Sequence, residues 1–153
     1  MNVRKANKFD MPIVLEMIQK FQKQEHVSGD LLEPLDLEYL SKLYHHIILG
    51  AGLILVATKD DRIIGMLMAI KNNSVWFPKQ IALKEMMIWV EEDCRDMGVG
   101  YKLVTEFNNT AEQMIKDKQI TQYTMSISKG FGQLNYEKFG YKKIEETWQV
   151  GDR

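Results

Sequence analysis

Apolar residues recur along this chain in a helical rhythm and in a strand rhythm, and their order predicts the architecture. Val14, Met17, Ile18 and Phe21 lie at i, i+3, i+4 and i+7, one face of a helix running to about Gln24. Asp10 reads as its N-cap, with Pro12 in the first turn. Asp36 caps a second helix whose inner face is Leu37, Leu40, Leu43, Tyr44 and Ile47, ended by Gly50 and Gly52. Leu53 to Thr58 is a strand dense in apolar residues. Lys59 to Arg62 is a polar hairpin turn, and Ile63 to Ile70 is the returning strand. After a loop around Val75-Trp76-Phe77-Pro78, Ile81 to Val90 is the next strand. Leu103, Phe107, Ala111, Met114 and Ile115 stripe the longest helix, from Gly98 to Asp117-Lys118. Ile120 to Ile127 is a strand, Leu134 to Phe139 a short helix closed by Gly140, and Tyr141 to Val150 a last extended segment. With Asn2 to Ala6 as an edge strand, the order is β-α-α-β-β-β-α-β-α-β. Short turns make the second, third and fourth strands antiparallel neighbours. The crossover helix makes the fourth and fifth parallel. The expectation is one α/β domain with a mixed sheet over residues 1–153.

Bulk composition narrows the function classes. The chain has 153 residues, 45% hydrophobic and 27% charged, ordinary values for a globular protein with its own core. A net charge of −1 argues against nucleic acid as the main partner. One cysteine, Cys94, excludes an intrachain disulfide and a cysteine metal cluster. The N-terminal MNVRKANKFD has no apolar core of a signal peptide, and no apolar run approaches the ~20 residues of a membrane span. A cytoplasmic protein without membrane attachment is the resulting expectation. The three histidines, His26, His45 and His46, have no metal-ligand pattern, so no metal is expected.

The chemistry concentrates at Met86 to Lys102. The apolar run Met86-Met87-Ile88-Trp89-Val90 leads into Glu91-Glu92-Asp93, then Arg95-Asp96-Met97-Gly98-Val99-Gly100, then a helix. A strand, a tight glycine turn and a helix N-terminus present free backbone N–H groups and the positive end of a helix dipole, which suits a phosphate. The turn is not a Walker A loop, because Gly-Lys-Ser/Thr is missing. Nor is it a dinucleotide fingerprint, because one glycine is absent and the elements do not repeat β-α-β.

Arg95-x-x-Gly98-x-Gly100, with Val90 five residues before the Arg, resembles the pyrophosphate-binding motif of the GNAT superfamily of acyl-CoA-dependent N-acyltransferases. Tyr136-Glu137-Lys138-Phe139-Gly140-Tyr141 resembles that family's C-terminal motif, with Tyr in place of the usual Phe at the end. The element order also fits the family, so the resemblance covers the chain. It implies a GNAT-like mixed sheet whose fourth and fifth strands splay apart to admit acetyl-CoA as the acyl donor. Backbone N–H groups from Met97 through Gly98, Val99 and Gly100 to Tyr101 would hold the pyrophosphate. Arg95 would sit at the rim, beside Asp96. Ile88, Trp89 and Val90 would pair their backbone with the pantetheine arm. Tyr136 would be the general acid that protonates the departing CoA thiolate.

The implied reaction is direct attack of a primary amine on the thioester in a ternary complex. An alkyl amine with a pKa of ~10.4 is mostly charged at neutral pH, so a base or a water chain must take a proton. Glu85, on the strand lining the site, is the candidate base; a solvated strand-end glutamate paired with Lys84 is the competing reading. Glu91, Glu92 and His26 follow. Cys94 reads as a small apolar residue sooner than as an acyl-cysteine nucleophile. Trp76 and Phe77 are candidates for an acceptor pocket or an interface, and Trp89 for the core. The family's Asn-x-x-Ala before the C-terminal tyrosine falls here on Lys129 and Gly132, which leaves cofactor contacts there open. The segment after Tyr141 is short, so the sheet ends early or is completed by a partner subunit in a homodimer. The acceptor, a small molecule or a protein, is not encoded in a recognisable motif. The alternatives to an N-acetyltransferase are a CoA-binding regulatory or interaction module without turnover and a pure interaction protein.

Overall fold

The computed structural model describes residues 1–25, 34–127, 134–148 and 150. Two candidate positions, His26 and the segment 128–133 with Lys129 and Gly132, lie outside the described residues. The chain forms a five-stranded sheet in the order β1 (Asn2–Lys5), β2 (Gly52–Lys59), β3 (Arg62–Asn73), β4 (Ile81–Val90) and β5 (Gln122–Thr124). The first four are antiparallel in succession, and β5 lies parallel to β4. α1 (Met11–Glu25) and α2 (Leu37–His46) cover one face. α3 (Val99–Lys116) covers the other and supplies the β4–β5 crossover.

Each layer is built by the alternation of the strands. Leu53, Leu55 and Ala57 of β2 join Leu67 of β3 and Leu83 of β4 under Leu103, Phe107 and Ala111 of α3. Ile54, Val56, Met66 and Met68 face the other way, against Val14, Met17, Ile18 and Phe21 of α1 and Tyr44 of α2. The β2–β3 hairpin turns on Asp60 and Asp61, both at positive φ (49° and 61°), which matches the twist of the flanking strands.

Several local features differ from the sequence expectation. Asp10 does not cap α1 directly. Asn7 caps a short 3-10 turn, Lys8–Asp10, and Asp10 accepts the Asn7 N–H at 2.8 Å while pairing with Arg4 at 2.7 Å. α2 ends at His46 and passes through one wide turn, Ile47–Ala51, where Gly50 takes φ 130°. Tyr136–Phe139 is a single 3-10 turn capped by Asn135, shorter than the expected helix. Among the described residues after Tyr141 there is no strand: Ile144, Trp148 and Val150 are all exposed and find no layer to pack on. Among the described residues the sheet ends at β5.

Candidate active site

The site begins where two strands part. β4 and β5 pair only through Ala82↔Gln122, Leu83↔Tyr123 and Lys84↔Thr124. Beyond Lys84, β4 keeps its partner β3 as far as Gly65↔Val90 and has no β5 ladder among the described residues. Residues 85–90 therefore present an open edge. A bulge sits at the point of parting. Ala69 pairs with Glu85 and Met68 with Met87, so Met86 is the extra residue. The bulge switches the faces of the strand. Before it Leu83 packs under α3; after it Ile88 and Val90 do, while Met87 and Trp89 turn to the α1 and α2 side.

Hydrogen bonding fixes which backbone groups face the opening. The Glu91 N–H donates to Ile64 O at 2.9 Å, toward β3. The C=O of the same planar trans peptide, Val90, must then point to the open edge. Antiparallel alternation turns the N–H and C=O of Ile88 and Val90 to that edge and those of Trp89 to β3. Of the three residues expected to offer backbone to a ligand, Trp89 is thus excluded by register. Its ring is buried in the α1 layer, and its indole Nε1 is the one buried side-chain nitrogen or oxygen without a partner among the described residues.

Glu85 is 4% exposed at the parting point. Its Oε2 accepts the Ser126 N–H at 3.0 Å, which closes across the gap where the ladder has stopped. Burial pushes the carboxyl up to about 7, against the opposing pull of the Ser126 N–H and the Lys84 charge. The same Ser126 offers its carbonyl to the Tyr136 hydroxyl at 3.1 Å. Burial, with the nearby Glu85 charge, raises that phenol to about 12. One residue backbone thus lies between a carboxyl that titrates near neutrality and a phenol that stays protonated. Nothing in the sequence singles out Ser126. Tyr136 is held by ring contacts: Tyr141 at 5.8 Å, itself edge-on to Tyr123 at 5.7 Å, which packs on Phe107 of α3. The Tyr141 hydroxyl donates to Asn108 of α3, and the Tyr123 hydroxyl donates to Glu112 at 2.7 Å.

At the far end of β4, residues Glu92–Met97 form a 3-10 turn that the apolar pattern does not reveal. Gly98 follows at φ 72° and is the N-cap of α3. A glycine is suited to this left-handed conformation, and it brings no side chain to cap the helix. The leading N–H groups of the 18-residue helix, from Val99, Gly100 and Tyr101, accordingly have no side-chain cap. Space around the Gly98 Cα is open, and a Cβ on Gly100 would meet only Leu134 at 3.7 Å. Uncapped donors, a helix dipole and open approach fit a phosphate group. Asp96, Met97 and Tyr101 are exposed around this opening.

The Arg95 side chain, expected at the phosphate rim, is engaged with β4 and α1. Its Nε donates to Val90 O at 3.1 Å, its Nη2 donates to Gln24 Oε1 of α1 at 2.9 Å, and its guanidinium lies 4.9 Å from the Trp89 ring centre. Glu91 is likewise engaged, with Lys20 of α1 at 2.9 and 3.1 Å, which removes it as a candidate base. Asp93 pairs with Arg62 at 2.7 Å. An open cleft of ≈ 700 Å³ lies here, between α1 and the turn after β4, with Lys23, Trp89 and Glu92 on its wall. Cys94 is buried, and burial raises its thiol above the usual value, so the nucleophilic thiolate is disfavoured. Trp76 and Phe77 are not part of the site. Ser74 Oγ accepts their two N–H groups at 3.1 Å each in the β3–β4 loop, at the opposite end of β4. From Ile81, where that loop ends, the strand runs roughly 13 Å to Glu85 and roughly 30 Å to Val90. His45 and His46 are exposed on α2. Among the described residues no group of three or more His, Cys, Asp or Glu could hold a metal ion, and no helix is long and apolar enough to cross a membrane.

The family model described as an acetyltransferase (GNAT) domain matches residues 50–143, from the start of β2 through the Tyr136 turn. The chain belongs to the GNAT acetyltransferase family. No curated protein matches the sequence. Solved GNAT-fold structures resemble this member over nearly its whole length. A possible acetyltransferase from Clostridium difficile 630 is 20% identical, with a TM-score of 0.68, covering 99% of this chain and 96% of that one. A predicted acetyltransferase with acetyl-CoA from Clostridium acetobutylicum is 16% identical, with a TM-score of 0.72, covering 98% and 95%. An aminoglycoside acetyltransferase from an uncultured soil metagenomic sample, in complex with sisomicin, is 16% identical, with a TM-score of 0.67, covering 99% and 96%. At these identities the likeness is one of fold. As a GNAT-family chain this protein is an acyltransferase of the acetyl-transferring kind.

Proposed function

We propose that this GNAT-family chain transfers the acetyl group of acetyl-CoA to a primary amine by direct attack in a ternary complex. The observation that carries the reading is the parting of β4 and β5 at Glu85, with the uncapped N-terminus of α3 at one end and Tyr136 across the gap. The pyrophosphate would rest on the N–H groups of Met97 to Tyr101. The pantetheine amides would bond the edge-facing carbonyl of Ile88 and the N–H of Val90. The carbonyl of Val90 is already taken by Arg95. The Ile88 N–H, the nearer of the two edge-facing N–H groups to Glu85, would serve the oxyanion that forms at the thioester carbon, which leaves the Ile88 carbonyl and the Val90 N–H for the pantetheine.

Glu85 would accept the proton of the attacking amine, directly or through one water. A base titrating near 7 is matched to that task. The C–N bond forms, the C–S bond breaks and the electron pair stays on sulfur. Tyr136 would then stabilise the thiolate by a hydrogen bond sooner than by full proton transfer. A thiol titrates near ~8.5. Moving a proton to its thiolate from a phenol at about 12 runs uphill by several pKa units. This refines the general-acid role expected from the sequence.

Calorimetry with acetyl-CoA, followed by CoA-thiol release across a panel of small amines, aminoglycosides and lysine peptides, tests the reading. Saturable binding with release for at least one acceptor is expected. Binding with no release from any acceptor leaves a CoA-binding module. Absence of binding overturns both.

A further inference from the structure

The side chains that join α1 to the turn after β4 form a two-point arrangement that the catalytic reading does not use. Lys20 and Gln24 are four residues apart on α1, hence one above the other on a single helix face. Glu91 and Arg95 are four apart after β4. Lys20 pairs with Glu91, and Gln24 accepts from Arg95. Arg95 also bonds the carbonyl of Val90 and lies against Trp89, a residue of the α1 layer. The guanidinium is thereby directed to the face of the sheet covered by α1. The uncapped N–H groups of Val99 to Tyr101 begin the helix on the other face.

Resting on the acetyl-CoA reading above, we propose that Arg95 is a positioning residue and not a phosphate ligand: with Gln24, Val90 and Trp89 it latches the phosphate turn and the end of β4 to α1, reinforced by Lys20–Glu91. The latch fixes one wall of the cleft beside Trp89 relative to the strand edge on which the thioester would lie. Its chemistry requires a planar fork. A guanidinium donates from Nε and Nη2 in two directions while its face rests on an indole. A lysine ammonium carries the charge and lacks that geometry.

The two roles predict different behaviour for Arg95→Lys, Arg95→Ala and Gln24→Ala. Acting as a latch, Arg95 leaves the acetyl-CoA Kd within about threefold of wild type in all three variants. The salt dependence of binding is then unchanged, because no charge pair with phosphate has been lost. Turnover of the amine falls about tenfold or more in each, because a small misplacement of reacting groups is costly. The double variant Arg95→Ala/Gln24→Ala is no worse than Arg95→Ala alone, since both ends belong to one contact. Acting as a phosphate ligand, Arg95→Ala weakens acetyl-CoA binding more than tenfold and flattens its salt dependence, Arg95→Lys restores most of it, and Gln24→Ala is silent. That second pattern overturns the latch while leaving the acetyltransferase reading intact. Failure of the wild-type protein to bind acetyl-CoA overturns both.

Discussion

Glu85 carries two consequences of one burial. Its carboxyl titrates at about 7 in the folded protein against an ordinary value of 4.5. The stability associated with the raised value is fully present below the unfolded pKa and is lost as pH rises through 7. Glu85→Gln removes that titration and keeps an oxygen for the Ser126 N–H. The advantage of the variant over wild type should therefore grow by about 2–3 kcal/mol between pH 5 and pH 8, read by urea denaturation at both pH values. A constant gap would mean that the carboxyl titrates normally. The same substitution should lower acetyl transfer about 10²–10⁴-fold and abolish the rise of rate through pH 7. Tyr136→Phe separates chemistry from binding. Loss of a hydrogen bond to a developing thiolate, about 1.5–3 kcal/mol, should reduce kcat roughly 10- to 100-fold with the acetyl-CoA Kd little changed. Unchanged turnover would remove Tyr136 from the mechanism.

At the scale of elements, the decisive unit is β4, the turn and α3. Gly98→Glu places a carboxylate where the α3 N-terminus is open, so acetyl-CoA affinity should fall more than about 100-fold through repulsion and occlusion. Gly98→Ala is the control for folding. Space around the Cα is open, so its cost is the left-handed φ, about 1–2 kcal/mol, and binding should survive. Retained affinity in the glutamate variant would move the phosphate elsewhere. The same unit marks what the sequence could and could not disclose. The full extent of β4 and nearly all of α3 were legible, because a ten-residue segment apolar but for Lys84 and Glu85 reads as a strand and a stripe at helical spacing reads as a helix. The 3-10 turn of Glu92–Met97 was not, because its buried Cys94 stands alone among exposed polar neighbours and sets no period. The pairing of Glu85 with Ser126 was hidden for a different reason. It depends on a bulge at Met86 and on β5 ending at Thr124, both set by tertiary contacts. The direction of Arg95 was equally hidden, since Gln24 is 71 residues away. The last extended segment was misleading. Its apolar residues suggest a strand, yet Ile144, Trp148 and Val150 meet no facing layer.

Over the whole molecule, two apolar layers are held apart by one sheet that is continuous from β1 to Lys84 and open beyond it. A ligand lying on the open edge would contact β4, the head of α3 and the Tyr136 turn together. Binding then joins segments that the fold connects there mainly through Glu85–Ser126 and the tyrosine contacts. A ligand that binds only the folded state adds RT ln(1 + [L]/Kd), about 2.7 kcal/mol at 100 Kd. For a domain of this size that corresponds to a rise in Tm of roughly 5–11 °C. Desacetyl-CoA should give nearly the same rise, because phosphates and pantetheine supply most of the contacts, whereas pantetheine alone should give little. Tyr136→Phe should keep the rise and Gly98→Glu should lose it. Hydrogen exchange should slow on ligand addition at residues 85–90 and 97–101 and stay unchanged in the β3–β4 loop around Trp76, which joins β4 four residues, roughly 13 Å, before Glu85. Protection appearing around Trp76 would place the ligand at the wrong end of β4. A Tm unmoved by saturating acetyl-CoA would show that the open edge is not a CoA site.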